Sequence, residues 1–256
     1  MTIIFNIIAS LPRLLISLPI VLLALSLHES AHGYAAYKLG DPTAYNLGRI
    51  SLNPAKHFNL AGFLCMLFFH VGWANPVPIN PRYFKKPRYG MAITAAAGPL
   101  SNLLSAIVFA VLLRLEVFIF SLVYGDQALN TLLVGLLGSN VGFKMLSVLT
   151  YFLYSGLIIN ISLTIFNLIP IPPFDGSRIT HLLLPSKWYF KAMQYERYIM
   201  IGMLLLFWIL YFLDINWLNV PTLWVSGGIL RLFGFRSGSD SLGIMNTMLF
   251  YIQNAL

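Results

Sequence analysis

Apolar residues in this chain gather into blocks close to the twenty or so that a helix needs to span a bilayer. Three blocks approach that length: Leu14 to Tyr37, Met91 to Leu113 and Met145 to Ile169. Each is predicted to be a transmembrane helix. Tyr198 to Leu213 is a shorter fourth candidate. Phe58 to Trp73 is apolar but short and begins soon after Asn53-Pro54, while Val220 to Phe235 is interrupted by Gly227, Gly228 and Arg231. No internal repeat or low-complexity tract is evident. The expected fold is an all-α polytopic membrane protein forming a single membrane-embedded domain over residues 1–256, with its core at about residues 14–185. Three long helices would be joined by additional spans and by a re-entrant or interfacial segment.

Composition agrees, with 58% hydrophobic residues, 9% charged residues and a mean hydropathy of +0.78. A soluble domain would be about a quarter charged. Met1 to Leu27, apolar around Arg13, runs on without a small-residue cleavage pattern and is expected to stay as an anchor. The lone Cys65 excludes an internal disulfide. A formal charge of +8 raises the question of nucleic acid, but the basic residues lie in short loops between apolar runs, as membrane orientation requires. Residues 38–90 carry Lys38, Arg49, Lys56, Arg82, Lys85, Lys86 and Arg88 against Asp41; residues 170–197 add Arg178, Lys187, Lys191 and Arg197. The positive-inside rule places both segments in the cytoplasm. Phe58 to Trp73, with both flanks there, should dip in and return or lie at the interface; an ordinary short span is the alternative.

Within this setting, His28-Glu29-Ser30-Ala31-His32 sits near the end of the first block. Ionisable groups in a membrane span are costly and mark a functional site. On a helix the two imidazoles at i and i+4 lie about 40° apart and one turn along, where both reach one Zn²⁺. Glu29 points about 100° away from His28, better placed to act on a zinc-bound water than to ligate. A catalytic zinc site usually has three protein ligands. Asp175 is the natural third, because the first and third blocks run the same way and their C-terminal ends can meet. Asp41, Glu116, Asp126, Glu196, Asp214 and Asp240 fall in loops or near span ends. Pro170, Pro172 and Pro173 force the chain to unwind, and Gly176 permits a tight turn beside the carboxylate. Asn167 is a candidate donor to an oxyanion or to substrate backbone. Taken alone, each half has a plain reading, a chance His-Glu-x-x-His and a simple turn.

Together, His28-Glu-Ser-Ala-His32 and Asn167-Leu-Ile-Pro-Ile-Pro-Pro-Phe-Asp-Gly176 resemble the two-part signature of the site-2 proteases, the intramembrane zinc metalloproteases. Gly40-Asp-Pro-Thr-Ala44, Ser51-Leu-Asn-Pro54 with His57, Gly72-Trp-Ala-Asn-Pro-Val-Pro-Ile-Asn-Pro81 and Ala97-Gly-Pro-Leu-Ser-Asn102 extend the similarity, in the family's order, over roughly residues 20–185. The pattern is similar to the compact bacterial branch. No inserted PDZ-like domain is visible between the motifs, and no nucleotide-sensing domain follows the last span.

The resemblance implies one Zn²⁺ per chain on His28, His32 and Asp175, Glu29 as general base and acid, and Asn167 assisting substrate or transition-state binding. It also implies a transmembrane protein substrate cut within the lipid bilayer. The chain is expected in the cell membrane, of the bacterial inner-membrane kind, with its site near the cytoplasmic face. Asn75 stands where the branch would have a lysine and is expected to be a surface change. Four further residues are weighed: His57 as a group reaching into the cleft to support the ligands or touch substrate, or else an interfacial histidine without a catalytic role; Asn102 as a hydrogen bond between spans or a support of the metal ligands; His70 as packing in the dip; His181 on an interfacial helix. Trp188, Trp208, Trp217 and Trp224 suit interfacial positions, and Ser241 to Leu256 a short amphipathic helix. Rival classes are a transporter, which usually shows pseudo-repeats, and a catalytically silent zinc-binding scaffold, which would lack Glu29.

Overall fold

A computed structural model of the chain describes residues 2–69, 72–125, 141–180, 194–213 and 217–236, together with 128, 131, 132, 135, 182, 215, 242, 245–247 and 249. Among the described residues the regular elements are all helical: α1 (Thr2–Lys38), α2 (Thr43–Asn46), α3 (Leu60–Phe69), α4 (Pro87–Tyr124), α5 (Val141–Asn167), α6 (Asp175–Thr180), α7 (Glu196–Phe212) and α8 (Asn219–Leu232), with 3₁₀ turns at Pro54–Lys56 and Pro81–Tyr83. The fold is thus all-α, as the blocks predict. Among the described residues three helices are long and apolar enough to cross a membrane: Leu15–Lys38, Pro87–Tyr124 and Val141–Asn167. The fourth candidate is helical too, but the 17 residues of α7 reach about 25 Å, short of a hydrocarbon core of roughly 30 Å. α8 runs unbroken through Gly227, Gly228 and Arg231. His70, His181, Trp188 and most of 241–256 lie outside the described residues.

The short apolar segment folds back on itself. α3 has 10 residues, about 15 Å of helix. The chain then returns to its starting point, where Asn75 N–H donates to the His57 carbonyl at 2.8 Å. Asn59 Nδ2 donates to Asn75 Oδ1, and Asn75 Nδ2 to the Phe58 carbonyl, both at 2.9 Å. Asn75 therefore does more than decorate the surface: it closes the neck of this hairpin with both ends of its amide, including an acceptor that a lysine lacks. Gly62 is required where α3 faces the returning chain, since a Cβ there would lie 2.1 Å from the Trp73 carbonyl oxygen.

The chain forms two compact units, Met1–Val21 with Ser105–Asn160 and Leu223–Leu256, and Leu22–Leu104 with Ile161–Thr222. Each of α1, α4 and α5 contributes residues to both. In the first unit, Ala106, Ala110, Leu113 and Val117 are wholly buried at helical spacing along α4. Gly156 of α5 lets Phe109 press against the backbone, since a Cβ would sit 2.4 Å from that ring. Thr150 Oγ1 donates to Glu116 Oε1 at 2.8 Å, giving the one carboxylate of α4 a partner.

The second unit carries the histidine motif. Ala92 and Ala95 are buried, and with Gly98 they make a small-residue face on α4. Such a face allows close backbone approach between helices. Pro99 lies inside α4; its own carbonyl accepts from Thr164 Oγ1 of α5 at 3.2 Å. At the far end of α5, Phe166 meets Phe174 with ring centroids 4.6 Å apart and Phe207 at 5.4 Å, while Phe207 stacks on Trp217 at 5.6 Å. This aromatic cluster anchors Phe174, the residue before Asp175.

Candidate metal centre

His28 and His32 occupy one face of α1, one turn apart, and both are buried. Asp175 opens α6 after the chain unwinds through Leu168 to Phe174. Gly176 fixes how it arrives: a Cβ there would lie 2.3 Å from the Leu168 carbonyl oxygen and 2.5 Å from that of Ile169. The turn therefore closes tightly on the end of α5. His28 Nε2 and His32 Nε2 lie 3.0 Å apart, at 3.1 and 3.2 Å from Asp175 Oδ2 respectively. The predicted meeting of the ends of α1 and α5 is thereby observed within this unit.

The far sides of the two rings decide what their Nε2 atoms are. His32 Nδ1 donates to the Thr94 backbone carbonyl at 2.7 Å, and His28 Nδ1 to Asn102 Oδ1 at 3.3 Å. A carbonyl only accepts, so each Nδ1 carries its proton, and in a neutral imidazole Nε2 then presents a lone pair. Two lone pairs and a carboxylate oxygen converge, an arrangement that repels itself unless a cation sits among them. Ligand atoms on a tetrahedral zinc, with bonds of about 2.0–2.1 Å, are roughly 3.3 Å apart, close to the separations here. The donor set of two imidazoles and a carboxylate fits zinc. Among the described residues these three form the one group of this kind whose ligand atoms all lie within 4.8 Å of one another.

Gly98 makes the convergence possible. A Cβ on it would lie 2.4 Å from His32 Nε2 and 2.6 Å from His28 Cε1. α4 therefore lies directly against the two rings, supplying Thr94 and Asn102 on either side of the contact. Asn102, wholly buried, takes the supporting place that its position after Gly98-Pro99 implies.

Glu29 stands outside the ligand cluster. Its Oε2 accepts the Val77 backbone N–H at 2.8 Å, and Oε1 has no hydrogen-bond partner among the described residues. Ser30, inside the same motif, donates to the Ser51 carbonyl at 2.7 Å and accepts from Ser51 N–H at 3.0 Å, tying the loop after α2 to α1. His57, buried, donates Nε2–H to that same Ser51 carbonyl at 2.8 Å. It thus buttresses the loop rather than the metal ligands. Asn167, the last residue of α5, turns its amide donor back to the Leu163 carbonyl at 2.9 Å. Asp41 is wholly buried and accepts from Asn80 N–H at 2.7 Å and from Thr43, joining the end of α1 to the segment that carries Val77.

Two features escaped sequence reading, Thr94 and Val77. Both act through backbone atoms, which no side-chain pattern announces.

A membrane-embedded helical fold with a His-Glu-x-x-His helix facing an Asp-Gly turn defines a class of metallopeptidase. Residues 16–210 match the model of Peptidase family M50, and the chain belongs to that family, the site-2 proteases. It is also 38% identical over 197 residues, 77% of this chain and 80% of the relative, to a Bacillus subtilis (strain 168) protein named "Putative zinc metalloprotease YwhC". No solved structure matches the chain. The protein is a zinc-dependent metalloprotease by class and a multi-pass membrane protein.

Proposed function

We propose that this protein hydrolyses peptide bonds within or near the transmembrane segments of membrane-protein substrates, using one Zn²⁺ per chain held by His28, His32 and Asp175. The observation that carries this reading is the convergence of two imidazole Nε2 atoms and Asp175 Oδ2 beside a carboxylate, Glu29, that does not join them. When bound, zinc supplies Lewis acidity to the scissile carbonyl and lowers the pKa of the attacking water.

The chain's own groups handle the protons. Glu29 keeps Oε2 on the Val77 N–H and uses Oε1 to take the proton from the water, then returns it to the leaving amine. Asn167 donates to the oxyanion once its amide leaves the Leu163 carbonyl. Retention of Glu29 favours catalysis over a silent zinc-binding scaffold.

The cytoplasmic placement of the site in the cell membrane rests on the basic loops flanking the spans. His32 lies six residues from Lys38, about 9 Å along the helix, a depth compatible with water entering from that side. A substrate helix hides its carbonyls in its own hydrogen bonds. Segments weakened by Gly, Pro or Asn should therefore be cut more readily.

Glu29→Gln tests the reading with a fluorescence-quenched, 20-residue apolar peptide bearing a central Asn-Gly pair, presented in detergent micelles. Loss of cleavage with zinc retained is expected. Cleavage at the wild-type rate would remove Glu29 from the mechanism.

A further inference from the structure

We propose that Arg49 is a positioning residue for the reaction: its guanidinium clamps the carbonyls of Asn75 and Pro76 and so holds the Val77 N–H on Glu29. The inference rests on the reading of Glu29 as the proton carrier. Arg49 Nη2 donates to the Asn75 carbonyl at 2.9 Å and to the Pro76 carbonyl at 3.2 Å. The next residue along is Val77, whose N–H reaches Glu29 Oε2 at 2.8 Å. Among the described residues no strand pairs with residues 72–80, so no backbone ladder fixes their height against α1 and these side-chain bonds set it.

The remaining contacts leave the segment little freedom. Val77 is buried, and its Cγ1 would lie 3.2 Å from a Cβ on Gly33, the α1 residue one turn beyond Glu29. The Val77 side chain therefore seats where α1 has no side chain. Asn75 ties one end of the segment to His57, and Asp41 ties the other through Asn80 N–H. Among the described residues Arg49 is the cationic side chain on these carbonyls, and a charged donor makes the stronger kind of hydrogen bond. Its own backbone is held by N–H donation to the Ala44 carbonyl at 2.9 Å, just after Gly48 at φ +62°. With Oε2 committed to Val77, Oε1 is the oxygen left to meet the water. A carboxylate released from Val77 would rotate and lose that orientation. Misplacement of a catalytic group by about 1 Å costs on the order of a hundredfold in rate.

The test is Arg49→Ala in the zinc-loaded, detergent-purified chain, with the Asn-Gly apolar peptide as probe, two readouts (steady-state kinetics and hydrogen exchange) and zinc content as the control. The expected result is zinc content equal to wild type, kcat down about ten- to hundredfold with KM within about threefold, and faster hydrogen exchange at the Val77 amide. Millimolar methylguanidinium should restore part of kcat. Unchanged kcat and exchange would overturn the proposal, as would a loss expressed in KM alone. Should Arg49→Ala fail to fold, Arg49→Gln keeps one amide donor and carries the same two readouts, with wild-type values in both overturning the proposal. Glu29→Gln run in parallel separates the two claims: full activity there removes the base, whereas an inactive Glu29→Gln beside a fully active Arg49→Ala removes only the clamp.

Discussion

A histidine becomes a metal ligand through what its other nitrogen does. His32 gives Nδ1–H to a backbone carbonyl and His28 gives its own to a side-chain amide, and this difference makes the two supports separable. Asn102→Ala removes the acceptor on His28 and is expected to weaken zinc binding about ten- to hundredfold, measured by competition with a chromogenic chelator. Thr94→Val removes a buried hydroxyl that has no partner among the described residues and keeps the carbonyl, so zinc affinity should stay at the wild-type value. Equal affinity in Asn102→Ala, or a large loss in Thr94→Val, would contradict the tautomer argument. The three candidate ligands were readable from residue spacing, because i and i+4 on a helix fix two rings and an Asp-Gly turn after three prolines offers a third group. Their supports were less so. Asn102 carried a signal as a buried amide, whereas the carbonyl of Thr94 and the amide of Val77 carried none.

At the level of elements, the site depends on how closely α4 lies on α1. Gly98→Ala puts a methyl within 2.4 Å of His32 Nε2, whereas at Gly202 of α7 an added Cβ meets nothing within 4 Å. Gly98→Ala is therefore expected to lose zinc and to destabilise by about 1–3 kcal/mol, the usual cost of overpacking. Gly202→Ala should leave zinc content and melting temperature unchanged. Thermal melts with zinc analysis check both, and normal zinc content in Gly98→Ala would mean that the helices are not so close. The hairpin around α3 makes a second prediction. Its short length and basic flanks implied a segment that leaves and returns, and the bonds joining Asn75 to His57, Phe58 and Asn59 supply the closure. In a Cys65→Ser background, single cysteines at Phe58 and Trp73 should react with a membrane-impermeant maleimide from the same face; labelling from opposite faces would make the segment a span. The role of Asn75 was not legible, since a lone polar residue in a loop looks like surface until its partners are known.

For the molecule as a whole, the long helices α1, α4 and α5 contribute to two compact units, yet the candidate metal-binding group and its supports all belong to one of them. The apolar blocks announced those helices because a bilayer demands length and composition above all. The helical character of α8 through two glycines was not announced, because glycine weakens a helix without forbidding it. Orientation follows from the basic loops: cysteines at Lys38 and Lys86 should label from the cytoplasmic side and one at Lys144 from the other, and the reverse pattern would move the site to the opposite face. We propose that His28, His32 and Asp175 hold one zinc on which Glu29 acts without binding it. Elemental analysis of detergent-purified wild type, His28→Ala, Asp175→Ala and Glu29→Gln tests it in one measurement. About one zinc per chain is expected in wild type and in Glu29→Gln, and little or none in the other two. Zinc retained after loss of His28 or Asp175, or lost with Glu29→Gln, would contradict it.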